Sequence, residues 1–171
     1  MKSFLFSTLA ARYRVSSLDA LAKDHACDWL LWEPGAWKPP GLSTVIARAA
    51  NALDVPPAPA KIGAEALAMA LPHAAARATL GRGEGCDLII NDGTLSNLHL
   101  TFTRGERGWV VEDAGSRNGS WVNGRVLEPG RTVMLVDGIS IVPAQVALSF
   151  HTPEGLWARL QGAGQPQQRT R

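Results

Sequence analysis

Cysteine is almost absent. The chain has two in 171 residues, Cys27 and Cys86; they form no CxxC pair, and His25 beside Cys27 lacks the second ligand pair that a structural zinc site needs. A disulfide framework and a metal site are therefore excluded, and both thiols are read as reduced core residues. No apolar run approaches the roughly 18 residues of a membrane span, so no membrane partner is expected. A large charge of one sign is missing as well, with 17 Lys and Arg against 15 Asp and Glu. Residues 1–63 hold seven basic and five acidic side chains, 64–150 seven and nine, and 151–171 three and one. A nucleic-acid binder concentrates positive charge on its main folded unit; here the middle segment is mildly acidic, so no nucleic-acid partner is expected. The start, Met1 to Ala11, imitates a secretory leader with one Lys and a short apolar stretch, but Ser7 and Thr8 interrupt it. The expected setting is cytoplasmic, and the short, Ala- and Trp-rich chain has a bacterial character.

What the chain has is enough to fold. An apolar share of 46% with 19% charged residues excludes wholesale disorder, and a body of this size buries about 68–70% of its unfolded surface, so it needs no metal or disulfide staple. Residues 17–25 read as a short helix with Ser16 or Ser17 as N-cap. Asp28 to Trp32 is a strand candidate stopped by Glu33-Pro34-Gly35. Trp29, Trp32 and Trp37 crowd this region and are expected to cover a sheet or helix face. Residues 43–53 suggest another short helix, and Pro56-Pro57-Ala58-Pro59 an extended linker. Residues 1–63 are thus an N-terminal extension packing on the main domain, 64–150 the main domain, and 151–171 a short helix over 153–160 with a disordered tail from 165.

From residue 64 onward the pattern changes to short apolar runs punctuated by turns. Strands are expected at 66–71, 76–80, 87–90, 98–103, 109–112, 120–122, 125–127, 132–135, 139–142 and 145–150, with Gly, Pro, Asn and Asp clusters between them. Many short strands at such spacing predict an all-β fold, an antiparallel sandwich with a short mixed N-terminal extension and a short C-terminal helix. Asn123-Gly124 is the strongest hairpin signal, because a type I′ turn needs positive φ at both central residues.

Three polar clusters fall between the apolar runs, where a sandwich presents functional side chains: Gly81-Arg82, Ser96-Asn97-Leu98-His99, and Gly115-Ser116-Arg117-Asn118-Gly119-Ser120. Their order and spacing, followed by Val122-Asn123-Gly124, resemble the forkhead-associated (FHA) domain over residues 64–150. That resemblance implies an eleven-stranded β-sandwich whose loops at one end bind phosphothreonine in a partner. It implies that Arg82 grips the phosphate, that Ser96 bonds it and that Asn118 holds the peptide backbone beside it. Asn97 departs from the more frequent Arg or Lys and loses one cation, which Arg117 restores. Thr94 and Arg117 are placed to read the residues flanking the phosphothreonine. Gly81, His99 and Gly119 are implied as structural support of the binding loops.

The chemistry agrees with the resemblance. Phosphothreonine brings about −1.5 to −2 charge and three acceptor oxygens, which a guanidinium fork matches with parallel charge-assisted bonds. Ser and Asn add neutral donors, and none of these groups needs to ionise, so the set suits binding rather than turnover. Ser96, His99 and Asp113 supply triad residue types without a G-x-S-x-G elbow. Gly81-Arg82-Gly83-Glu84-Gly85 lacks the spacing and the following helix of a dinucleotide fingerprint. The expected protein is not an enzyme and uses no cofactor. It docks a phosphothreonine-containing protein or peptide in Ser/Thr kinase signalling, the kinase or its substrate being the implied partner. The competing reading is a phosphate-independent scaffold or dimerisation module on the same sandwich, from which the complete Arg82, Ser96 and Asn118 set separates it.

Overall fold

The computed structural model describes residues 1–33 and 65–162. The helix expected at 43–53, Trp37, the linker at 56–59 and the tail from 165 lie outside the described residues. In chain order the elements are β1 (Ser3–Leu5), α1 (Phe6–Tyr13), α2 (Leu18–Asp24), β2 (Cys27–Trp32), β3 (Leu67–Pro72), β4 (Arg77–Gly81), β5 (Leu88–Ile89), β6 (Leu100–Gly105), β7 (Gly108–Asp113), β8 (Ser120–Val122), β9 (Arg125–Val126), β10 (Thr132–Met134), β11 (Ser140–Pro143), β12 (Leu148–His151) and α3 (Pro153–Gly162). None of the helices is long and apolar enough to cross a membrane.

Two sheets make the sandwich. One runs β1-β3-β2-β12-β11-β8-β9 and the other β10-β7-β6-β4-β5. The described strands number twelve rather than eleven. All pairs are antiparallel except β4 and β5, which run parallel through Leu80↔Leu88 and Gly81↔Ile89. The parallel pair is only two residues long because β5 is reached from β4 by one short loop, which leaves no length for a full crossover. Asn123 and Gly124, both at positive φ (47° and 75°), form the tight turn between β8 and β9.

β2 shows why the layers stack as they do. Its side chains alternate, Leu30 pointing into the core between the sheets and Trp29 and Leu31 pointing to the outer face. The strand is apolar on both sides because both sides are covered. On its neighbour β3, Met69 and Leu71 enter the inter-sheet core while Ala68 and Ala70 face outward, leaving room for helices to approach. Leu9 and Tyr13 of α1, Leu21 of α2, and Leu156 and Leu160 of α3 fill that room. The outer face of the second sheet is uncovered by contrast and is mostly polar, carrying Thr79, Thr103, Glu112 and Thr132 with Val110 and Met134 among them.

The stretch Met1 to Ala11, which imitates a leader in sequence, enters β1 and α1, and β1 pairs with β3 through Ser3↔Met69 and Leu5↔Leu67. α2 is capped by Ser17, whose hydroxyl accepts the Ala20 N–H at 3.3 Å. Tyr13 donates its hydroxyl to Asp24 at 2.9 Å, and its burial pushes its pKa up to about 12. α3 starts at Pro153, suited to a first helical turn, with Leu156 N–H bonded to the Thr152 carbonyl at 2.9 Å.

Trp29 is fully buried beneath the helices, and replacing it leaves a cavity where the packed layer cannot fully collapse. Trp29→Ala is expected to cost about 3–5 kcal/mol, measured by urea denaturation. A loss below about 1 kcal/mol would show that the helical layer lies outside the cooperative fold.

Candidate functional site

The loops at one end of the sandwich are held by side chains that never reach solvent. His99, fully buried immediately before β6, accepts the Ser96 N–H on Nδ1 at 3.0 Å and bonds the Gly119 carbonyl through Nε2 at 3.1 Å. The first bond fixes Nδ1 as acceptor, so Nε2 carries the proton and donates. One neutral imidazole thereby joins the loop before β6 to the loop before β8. Burial pushes its pKa below the ordinary 6.5, against opposing contributions from the Gly119 carbonyl and Asp113.

Asp113, at the end of β7 and 2% exposed, organises the 114–119 loop. Its carboxylate accepts the Ser116 N–H at 2.6 Å, the Ser116 hydroxyl at 2.8 Å and the Ser120 hydroxyl at 2.5 Å. Gly119 N–H in turn donates to Ser116 Oγ at 3.0 Å. The turn needs left-handed backbone at Gly115 and Gly119 (φ 79° and 75°), where L side chains are strained.

Gly81 is required for a different reason. A Cβ there would overlap the Asn97 carbonyl oxygen, because the 96–98 backbone crosses directly over β4's end. Arg82 N–H donates to the Ser96 carbonyl and Gly83 N–H to the Asn97 carbonyl, both at 3.0 Å. The Cys86 thiol also donates to the Asn97 carbonyl, at 3.0 Å. Cys86 is thus half-buried under this loop rather than in the core, whereas Cys27 is buried and its thiol pKa is pushed up to about 12.

These constraints bring together all six residues expected to bind. Arg82, Thr94, Ser96, Asn97, Arg117 and Asn118, with Gly93 and Leu95, line an open cleft of about 620 Å³. Buried Leu95 anchors its floor. Ser96 Oγ accepts the Arg117 N–H at 3.0 Å, and Asn118 Nδ2 donates to the Thr94 carbonyl at 2.6 Å. The Thr94 hydroxyl and N–H both turn to Asp92 Oδ1, at 2.5 and 2.8 Å. The cleft's two charges, Arg82 and Arg117, are both positive and exposed, and among the described residues neither guanidinium has an ion-pair partner.

Asp113 and Asp92 are the positions whose work sequence reasoning missed. The spacings Asp113-x-x-Ser116 and Asp92-x-Thr94 are side-chain-to-backbone turn signals. Ser96, His99 and Asp113 do not assemble as a triad: His99 meets the Ser96 backbone rather than its hydroxyl, and Asp113 is taken up by two serines. A Ser-His-Asp contact does occur elsewhere, with Ser149 Oγ 2.9 Å from His151 Nε2 and His151 Nδ1 3.4 Å from Asp137. There Asp137 caps α3 by accepting the Thr152 N–H at 2.9 Å. The adjoining cleft is lined by His151, Asp137 and Arg159 but not by Ser149, so the hydroxyl is not presented to a substrate. Among the described residues no three His, Cys, Asp or Glu side chains gather as a metal site.

Comparison with known proteins falls on part of the sandwich. The FHA domain family matches residues 78–142. An FHA domain-containing protein of Arabidopsis thaliana is 37% identical over 54 residues, which cover 32% of this chain and 14% of that relative's length. Among solved structures, the FHA domain of another Arabidopsis thaliana protein superposes with a TM-score of 0.50 at 20% identity, covering 74% of this chain and 86% of that one. The FHA domain of a Chlamydia trachomatis protein gives 0.49 at 20% identity, covering 73% and 97%. The family match lies inside the sandwich, so residues 78–142, the strands and loops that build the cleft, are what resembles the FHA domain.

Proposed function

We propose that the cleft binds phosphothreonine in a partner protein. The observation that carries this reading is the convergence of Arg82 and Arg117, unpaired and exposed, with the Ser96 and Asn118 side chains on a cleft without an acidic residue. A phosphate dianion supplies the missing negative charge and the acceptors. Its natural position is between the Arg82 guanidinium and Ser96, with Arg117 as the second cation in place of the one that Asn97 does not provide. Asn118 keeps its amide oxygen for a peptide N–H while its amino group is held by Thr94. Nothing in this arrangement transfers a group, so the site binds and releases. The marking enzyme is a Ser/Thr kinase, and such phosphorylation places the docking event in the cytoplasm, where ATP is.

Removing a charged hydrogen bond costs about 1.5–3 kcal/mol, so Arg82→Ala is expected to lose about tenfold to hundredfold in affinity for a phosphothreonine peptide with the fold intact. Calorimetry with paired phosphorylated and unphosphorylated peptides tests it. Equal binding of the two peptides would favour the phosphate-independent scaffold, and equal affinity of wild type and Arg82→Ala would reject the assigned phosphate position.

The pH dependence has a definite sign. As pH falls through 6.5 the unfolded chain takes up a proton on His99, while the folded chain, with its depressed pKa, does so only lower. The stability tied to neutral His99 is therefore complete above 6.5 and is lost as pH falls towards the depressed value. His25 and His151, both also lowered chiefly by burial, act in the same direction. Phosphothreonine loses its second charge near pH 6, while burial favours the neutral His99 ring to below its ordinary 6.5. Affinity is expected to fall with the ³¹P titration of the peptide while the His99 ring resonances stay those of a neutral imidazole. A His99 midpoint at or above the ³¹P midpoint would transfer the pH dependence to the protein.

A further inference from the structure

Two of the five asparagines stand directly before a glycine, in Asn118-Gly119 and Asn123-Gly124. An asparagine amide is lost when the backbone nitrogen of the next residue attacks its Cγ, and glycine offers that nitrogen with no side chain in the way. By sequence the two pairs are equivalent, and both glycines have the same φ of 75°. The structure separates them at each atom the reaction uses.

At Asn118 the reacting groups are tied down. The attacking nitrogen, Gly119 N, gives its hydrogen to Ser116 Oγ at 3.0 Å, and the leaving amino group, Asn118 Nδ2, donates to the Thr94 carbonyl at 2.6 Å. No described residue donates to the Asn118 side-chain oxygen. Gly119 is pinned again through its carbonyl, which meets His99 Nε2 at 3.1 Å and the Ala144 N–H at 2.9 Å.

At Asn123 the order is reversed. Both Asn123 and Gly124 are exposed, and among the described residues neither Gly124 N–H nor Asn123 Nδ2 has a partner. The Asn123 side-chain oxygen, by contrast, accepts the Ser140 N–H at 3.0 Å. A donor in that position polarises the carbonyl and stabilises the negative charge that grows on the oxygen as Cγ becomes tetrahedral. The backbone can follow the attack, because the turn leads into β9, an edge strand of two exposed residues. Such an edge opens locally at small cost.

We propose that Asn123 is a site of spontaneous deamidation, with Asn118 as its protected counterpart. Gly124 N bonds to Cγ, the Cγ–Nδ2 bond breaks, and the proton lost from Gly124 N is balanced by the one Nδ2 takes up as it leaves as ammonia. Water then opens the five-membered imide on either side of its nitrogen, giving aspartate or isoaspartate. Neither oxidant nor reductant takes part, and each product carries one more carboxylate than the parent chain. Aspartate retains an oxygen for the Ser140 N–H. Isoaspartate adds a methylene to the main chain inside the turn and so disturbs the register Trp121↔Val126 and Val122↔Arg125. The Arg82–Arg117 cleft is spared, since its loops hang from His99 and Asp113 rather than from β9. The inference stands whatever that cleft binds.

The test stores the full chain in warm, mildly alkaline buffer beside a sample unfolded in urea. Peptide mapping by mass spectrometry follows conversion at each asparagine, and enzymatic carboxyl methylation counts isoaspartate. In the folded chain Asn123 is expected to convert at least about tenfold faster than Asn118, and in urea the two are expected to convert at comparable rates. Asn123→Gln, whose longer side chain closes its ring far more slowly, is expected to abolish isoaspartate in the folded chain. Conversion of Asn118 as fast as that of Asn123 in the folded chain would overturn the proposal, as would an unreactive Asn123 in a folded chain whose unfolded form reacts. Isoaspartate persisting in Asn123→Gln would place the site elsewhere, and the same preference for Asn123 in urea would make it a property of the sequence rather than of these hydrogen bonds; either result also overturns it.

Discussion

Everything at the binding end rests on two buried polar side chains that gain nothing from solvent. His99 spans from the Ser96 N–H to the Gly119 carbonyl, and Asp113 gathers three donors from Ser116 and Ser120. A buried polar group left unpaired costs about 1–3 kcal/mol, so the loops have one arrangement in which these groups are satisfied and many in which they are not. That asymmetry holds Arg82, Ser96, Arg117 and Asn118 in place before any ligand arrives. The ordering entropy that a flexible site would surrender on binding has already been met by folding.

The sandwich divides its surfaces by how each is covered. One sheet is roofed by three helices drawn from both ends of the described chain, so it has hydrophobic residues on both faces. The other has a single buried face and alternates accordingly. The loop end carries positive charge and fixed donors, and the β9–β10 flank ends in open strand edges. The roof in turn stiffens β2, whose Leu30 packs in the same inter-sheet core as Leu80 and Leu100, the strand residues that flank the cleft's loops.

Strands β3 to β12 were legible because each is bounded by residues with a local conformational reason to turn, Asn123-Gly124 most clearly. The gathering of the cleft's residues was legible because they fall as short polar clusters in the loops between apolar runs, in the order of the FHA signature. What was not legible depends on distant partners. β1 is three residues long and exists only by pairing with β3. The apolar residues of α1 have no meaning until α3 arrives from the far end of the chain. The parallel β4–β5 contact departs from the antiparallel expectation, because nothing in the residues of so short a strand sets its direction against a neighbour. Cys86 looked like a core thiol by composition; its place under Asn97 follows from the chain crossing that also demands Gly81.

The pairing of β2 with β3 ends at Trp32↔Leu67, so the chain leaves the sheet at residue 33 and rejoins it at 66 on directly opposed residues. This junction lies at the same end as the Arg82–Arg117 cleft, since Glu33 N–H reaches the Ala147 carbonyl at 3.4 Å and Ala144 N–H the Gly119 carbonyl at 2.9 Å. Because both ends are fixed by the ladder, the length of what joins them is nearly a free variable: each doubling adds only about 0.6 kcal/mol of closure cost. The fold therefore carries, at residues 33 and 66, two facing anchors whose positions the β2–β3 ladder sets, and both stand at the cleft's end of the sandwich.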